Sequence, residues 1–279
     1  MMIKPNFLFI GPDKSGSTWL YEIFKEHPQI FVPDIKDIYF FDRYYYKGWE
    51  WYASFFKGSE NYKAIGELSH DYMFSIEAML RIRNDLPGAK LFVILRNPFE
   101  KVVSHYLFLV RSGITNKPFE IAIKTHKELI EKCLYAKYLS QYINIFPKEQ
   151  FKIFFYDDLK KDPRNFAKDI FDYLNVDFIE LDFNRKVLPA SKPRIFLLAK
   201  LAKKSANLLR ELGWIKLLGK IKANRYIQTI LYKPYKSEKF VMSREQFEML
   251  FDIFVRDIRD LEKIVNKKLD NWLEFKGKL

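Results

Sequence analysis

The stretch Phe7-Leu8-Phe9-Ile10-Gly11-Pro12-Asp13-Lys14-Ser15-Gly16-Ser17-Thr18-Trp19 decides the fold. Phe7–Ile10 is apolar throughout with no polar alternation, the pattern of a strand buried on both faces of a parallel sheet. A turn with two glycines follows, and then a helical pattern. Leu20, Ile23, Phe24 and His27 fall at i, i+3, i+4 and i+7, and Pro28 closes the run. Strand, glycine turn and helix start together make an anion cradle, because backbone N–H groups converge there and the helix dipole adds positive charge.

The spacing Gly11-x4-Gly16 matches the opening of a triphosphate-binding loop. The match then fails, because Ser17 stands where that loop needs a lysine. The cation lies inside the turn instead, at Lys14, which points to an anhydride shorter than a triphosphate. A plain strand–helix turn with a chance lysine and a triphosphate kinase are the competing readings.

Further apolar runs at Lys90–Leu95 and Phe151–Tyr156, with a shorter one at Ala64–Glu67, read as additional parallel strands. Asn97-Pro98 has the form of an N-cap followed by proline at the first helical position. Val102, Val103, Tyr106, Leu107 and Val110 continue that helix. The expected fold is therefore α/β, a P-loop-type central parallel sheet flanked by helices on both faces, with ligands at the carboxyl ends of the strands. Lys192 to Tyr232 reads as helical, leucine-rich and basic. Ser243 to Val265 reads as an amphipathic helix opened by a Ser243/Gln246 capping box. This helical region, about 192–279, is expected to pack on the same core, giving a single domain over 1–279.

The 279 residues suit one large α/β domain, and 48% hydrophobic with 18% aromatic residues excludes wholesale disorder. One cysteine, Cys133, excludes a disulfide framework or a cysteine-rich zinc site. The 4 histidines show no metalloprotease spacing, so no metal is expected. No run approaches the roughly 18 apolar residues of a membrane span, and Met1–Pro5 lacks the shape of a signal peptide. A soluble, cytoplasmic protein is expected.

The net charge of +13 favours anionic partners. Leu197–Tyr232 holds 6 lysines and 2 arginines against 1 glutamate, a net +7, while the remainder is mildly basic. That concentration argues against nucleic acid as a partner. Two readings of the segment stay open: peripheral contact with an anionic membrane, or a solvated basic face over a core-packed stripe.

Arg96 ends the second long strand beside the first loop, and Ser104 lies about 9 Å beyond Pro98 along the following helix. An arginine fork and a hydroxyl converging there would hold a second, separate phosphate. At this point a resemblance emerges. Lys14-Ser15-Gly16-Ser17-Thr18-Trp19-Leu20 and the run from Leu95-Arg96-Asn97-Pro98 to Ser104-His105-Tyr106 resemble the two signature motifs of the sulfotransferases that use 3′-phosphoadenosine-5′-phosphosulfate (PAPS). Lys36–Asp42, Gly48–Tyr52 with Phe55-Phe56, Gly66–Tyr72, Phe155–Leu159 and Ser191–Arg194 are similar to later segments of that family, especially its glycan-type branch. Phe254–Glu262 and Leu269–Trp272 resemble its usual bacterial-type ending.

The resemblance implies a transfer of the sulfuryl group from PAPS to a hydroxyl or amine, of a carbohydrate or glycolipid, with PAP as product. It implies that Lys14, Ser15, Gly16, Ser17 and Thr18 hold the 5′-phosphosulfate and that Arg96 and Ser104 hold the 3′-phosphate. Tyr156 would lie near the adenine, and Lys192 and Arg194 would close over the nucleotide. Lys14 is also the candidate cation at the bridging oxygen. For the general base, glycan-type members carry a glutamate where this chain has Asp37, and members acting on small phenols carry a histidine where it has His70. The lysine usual in the glycan type near that point is replaced by Leu68. Glu67 and Asp158 read as structural carboxylates, and the aromatic cluster Phe40–Tyr52 reads as core more readily than as a sugar-stacking platform. The alternative functions are a P-loop small-molecule kinase and a non-catalytic membrane- or polyanion-binding protein on a nucleotide-binding fold.

Overall fold

A computed structural model describes residues 2–185, 191–234, 240–275 and 277. In chain order it begins with β1 (Phe7–Gly11), α1 (Ser17–Glu26), β2 (Ile30–Phe31), α2 (Gly48–Ala53), β3 (Ala64–Leu68), α3 (Ile76–Asp85) and β4 (Lys90–Leu95). Next come α4 (Pro98–Arg111), α5 (Phe119–Thr125), α6 (Glu128–Glu131), α7 (Tyr135–Ile145), β5 (Phe151–Phe155), α8 (Tyr156–Lys161) and α9 (Pro163–Leu174). The chain then forms β6 (Ser191–Pro193), α10 (Phe196–Glu211), α11 (Ile215–Ala223), α12 (Arg225–Leu231), β7 (Tyr232–Pro234) and α13 (Arg244–Val265). These elements cluster as two compact units. The first is Met1–Asn97, Tyr135–Val187 and Asp257–Lys267; the second is Pro98–Leu134, Leu188–Arg256 and Lys268–Leu279.

The first unit holds the parallel sheet that the apolar runs predict; its strand order is β2-β3-β1-β4-β5, with the short β2 added to the four expected strands. Every residue of β1 and β3 is buried, because each strand sits between neighbours and is covered on both faces. Strand alternation splits β1: Phe7 and Phe9 join Trp19, Leu20, Phe24, Phe166, Ile170 and Phe171 in one cluster with α1 and α9. Leu8 and Ile10 point to the other face and are equally buried. β5 is the edge, and its exposed Lys152 suits an unpaired strand margin. The central position of β1 sets β3 and β4 on either side of it, so the carboxyl ends of three adjacent strands form one rim.

The aromatic cluster is core. Phe40 stacks on Tyr52 at 4.2 Å between centroids, and Phe41, Tyr52 and Phe56 are fully buried. Tyr46 is the exposed exception.

The second unit is helical. Phe99 of α4 stacks on Phe247 at 4.3 Å and meets Phe254 edge-on at 5.2 Å. Gly113, at φ +67, lets the start of α10 approach so closely that an added Cβ would lie 2.6 Å from the Lys200 nitrogen. The predicted capping box forms: the Ser243 N–H donates to Gln246 Oε1 (2.8 Å) and the Gln246 N–H to Ser243 Oγ (3.2 Å). One expectation needs correction. Lys192 does not open a helix; it lies in β6, paired antiparallel with Lys233 of β7, and helix begins only at Phe196. Pro193 is the physical reason, since proline biases its predecessor to extended backbone and lacks the N–H a helix would use. Similarly, Tyr156 opens α8 instead of ending β5.

Candidate active site

Three strand tips of the first unit supply the site. From β1 comes the loop Gly11–Gly16, in which Lys14 adopts φ 61 and Gly16 φ 93. Lys14 carries a side chain in the left-handed region, a conformation held only where surroundings over-determine it. Gly16 has no alternative: a Cβ there would come within 2.8 Å of Leu159 and 3.2 Å of the Tyr156 ring. At Gly11 an added Cβ would run into the His70 carbonyl, so the loop is pressed against the end of β3.

The loop suits a phosphosulfate. α1 has no side-chain cap and no acid in its first turn, so its leading N–H groups and positive dipole end face the loop without internal compensation. Ser15 is fully buried and its hydroxyl donates to the Pro12 carbonyl at 2.6 Å. The group it has left to offer an anion is its backbone N–H. From the tip of β4, Arg96 Nη1 donates to the Lys14 carbonyl (3.0 Å) and the guanidinium lies 4.7 Å from the Tyr156 ring centre. Arg96, Tyr156 and the loop are thus one assembly.

Sequence reasoning did not single out Lys36. Its Nζ donates to Ser17 Oγ (3.1 Å) and Thr18 Oγ1 (3.0 Å), placing an ammonium at the first turn of α1. Burial lowers the Lys36 pKa, with Asp37, Glu22 and Asp13 opposing. The available signal was the lysine beside Asp37, without any indication of where it reaches.

From β3 come Glu67, His70 and Asp71. Asp37 and His70, read as alternative bases, are partners: His70 Nδ1 lies 2.7 Å from Asp37 Oδ1. The Tyr39 hydroxyl is 3.0 Å from His70 Nε2. The His70 and Asp37 side chains keep 22% and 19% of their surface exposed. Burial works against charge on His70, but the Asp37 carboxylate and its hydrogen bond, with Asp71 and Asp13, outweigh it and raise the pKa. Asp37 (φ 63) and Tyr39 (φ 57) both occupy the left-handed region, and the Asp37 N–H donates to the Leu68 carbonyl at 2.9 Å. Arg43 bonds Asp71 and Asp42 and covers the Tyr39 ring at 3.9 Å.

Glu67 is structural. Tyr52 and Tyr72 donate to its Oε1 (2.8 and 2.7 Å) and Ser69 to its Oε2 (2.7 Å), while burial pushes its pKa up to about 7. Asp158 is exposed, 3.8 Å from Lys267. Cys133 is buried and its thiol faces the Leu129 carbonyl. Among the described residues no three His, Cys, Asp or Glu side chains gather as a metal site requires.

Ser104, Lys192 and Arg194 belong to the second unit. Ser104 sits half-buried midway along α4. Lys192 lies in the β6–β7 ribbon, and Arg194 Nε donates to the Thr229 carbonyl at 2.7 Å.

A parallel sheet with a glycine-bounded loop and an uncapped helix start beside a histidine–carboxylate pair at its strand tips has the architecture of an α/β group-transfer enzyme. The sulfotransferase domain family matches residues 4–193, more than half of the chain, and the chain belongs to that family. It is 36% identical over 143 residues to the membrane-associated sulfotransferase kil1 of Dictyostelium discoideum, covering 48% of this chain and 30% of that protein. It is 26% identical over 186 residues to human heparan sulfate glucosamine 3-O-sulfotransferase 6, covering 64% of this chain and 54% of that one. The matched segment thus spans less than a third of the first relative and about half of the second. A sulfotransferase structure from Alicyclobacillus acidocaldarius superposes with TM-score 0.71 at 21% identity, covering 98% of this chain and 100% of that one. A mouse sulfotransferase solved with PAP superposes with TM-score 0.52 at 14% identity, covering 94% and 88%. These matches do not favour the kinase or the non-catalytic reading.

Proposed function

We propose that this chain transfers the sulfuryl group of PAPS to a hydroxyl or amine of a carbohydrate or glycolipid, acting as one domain over 1–279. The family match covers residues 4–193 only; what supports the full extent is the Alicyclobacillus acidocaldarius sulfotransferase structure, which covers 98% of this chain. The observation that carries the function is the meeting of an uncapped, acid-free helix start with the Asp37–His70 pair along neighbouring strand tips. The carbohydrate class is supported by the names of relatives such as the heparan sulfate 3-O-sulfotransferase.

In this reading the backbone of Ser15, Gly16, Ser17 and Thr18 binds the 5′-phosphosulfate, and Lys14 faces the bridging oxygen. Lys36 holds the Ser17 and Thr18 hydroxyls with two of its three N–H bonds and offers the third to the sulfate. The acceptor oxygen or nitrogen attacks sulfur in line. A new bond to sulfur forms, the bond from sulfur to the bridging oxygen breaks with its electrons kept by that oxygen, and PAP leaves. His70 Nε2 takes the acceptor proton after the acceptor displaces the Tyr39 hydroxyl, and Asp37 orients the ring and stabilises the imidazolium. Cations at the leaving oxygen stabilise charge that develops only in the transition state. Ser104, Lys192 and Arg194 join Arg96 and Tyr156 as nucleotide-binding residues on the motif resemblance alone.

The test is ligand stabilisation. PAP should raise the melting temperature well above the effect of ADP or ATP with magnesium, a ligand at roughly 100 times its Kd adding about 2.7 kcal/mol. Preference for ATP would overturn the reading. Lys14→Ala should lower kcat by on the order of 10²–10³ with the melting temperature retained. Full turnover in that variant would remove Lys14 from the mechanism.

A further inference from the structure

α10 leaves several of its leucines in water. Leu197, Leu201, Leu208 and Leu212 follow one face at i, i+4, i+11 and i+15 and are 64%, 51%, 55% and 55% exposed. The buried residues of α10 are Ala199 and Arg210, the latter 6% exposed, while Phe196 and Leu209 are half-buried. A surface helix ordinarily buries its leucines and exposes its charges. Scattered exposed leucines need no explanation, but four of them aligned on one face do. Beyond the helix, Trp214 is 58% and Tyr226 83% exposed, and both residue types favour the boundary between water and lipid.

Lys200 and Lys204, by their spacing, flank the leucines on α10 and are exposed, as is Lys220 of α11, and no carboxylate pairs with them among the described residues. Glu211 is the one acid of Leu197–Tyr232. Lys203 is half-buried, 5.7 Å from the Phe108 ring centre, and the side chains of Lys216, Lys222 and Arg225, which with Lys203 and Arg210 complete the +7 of this segment, lie outside the described residues. No described helix is long and apolar enough to cross a membrane.

We propose that the leucine face of α10, with its exposed lysines, docks on the surface of an anionic phospholipid bilayer. Leucines interleaved with lysines match a bilayer boundary: the apolar side chains enter the acyl region while the flexible ammonium groups reach the phosphates. A polyanionic glycan would satisfy the lysines but leave the leucines in water. A second copy of this chain would satisfy the leucines but oppose one net +7 segment to another. The surface stands independently of the sulfuryl-transfer reading.

Co-sedimentation of the full chain with vesicles tests it, comparing phosphatidylcholine–phosphatidylserine mixtures with phosphatidylcholine alone. The chain should pellet with the mixed vesicles, and Leu201→Asn with Leu208→Asn should weaken that binding about tenfold or more. Lys200→Gln with Lys204→Gln should weaken it and flatten its salt dependence. Both variants should retain the wild-type melting temperature and PAP affinity. A second measurement uses wild-type protein only: lipids brominated on their acyl chains should quench its tryptophan fluorescence. The proposal is overturned by no binding to the mixed vesicles, by unchanged binding of the leucine variant, or by binding to heparin without binding to vesicles. It is equally overturned by a dimer in sedimentation velocity that the leucine variant splits while vesicles go unbound.

Discussion

Glu67 and Asp37 sit at the same end of the sheet and meet opposite fates. Glu67 is 1% exposed and takes three hydroxyl donors; Asp37 stays partly open and takes an imidazole. Hydroxyls satisfy a carboxylate and leave it nothing further to do. An imidazole passes the carboxylate's influence to its own far nitrogen, which can exchange protons with a third molecule. The chemical difference between the two acids therefore lies entirely in their neighbours.

Replacing the imidazole should break the contrast most severely. His70→Ala should lower kcat by on the order of 10²–10⁴, with PAP affinity retained. Single-turnover kinetics beside a PAP titration checks this, and a variant that keeps its rate would exclude His70 as the base.

A smaller loss, with a diagnostic pH signature, is expected of Asp37→Asn. The base works when neutral, so the rate rises with pH through the His70 pKa, which Asp37 holds above the ordinary histidine value. Without that carboxylate, burial remains and the rising limb should move to lower pH. If the limb disappears instead, Asp37 is the base.

Glu67→Gln should barely alter kcat and should act on stability. The folded carboxyl titrates near 7 against an ordinary value of 4.5, so the folded state binds more protons between those limits. Wild-type stability therefore declines as pH rises through that window, by up to about 3 kcal/mol, and the variant should lose this part of the decline. Denaturant melts at several pH values would show it; parallel curves for the two proteins would contradict the assignment.

The sheet was legible because buried parallel strands announce themselves as unbroken apolar runs, and Ser243 with Gln246 announced a helix start by local spacing alone. The loop was legible for the same reason: its glycines and its lysine are neighbours in the chain. Pairings across the fold were not. Asp37 and His70 are separated by 33 positions, and nothing in either segment states that they meet. Lys36 was harder still, since a long unbranched side chain can reach in many directions and its spacing from Ser17 and Thr18 carries no period. At β6, leucine-rich sequence downstream drew the expected helix too far back, across a proline that refuses it.

Lys36 and Asp37 are consecutive, yet one is tied to the donor loop and the other to the candidate base. A single peptide link thus serves two clients. A shift of the first turn of α1 that moved the Lys36 ammonium would therefore have one Cα–Cα step to travel before it met the carboxylate that orients the imidazole.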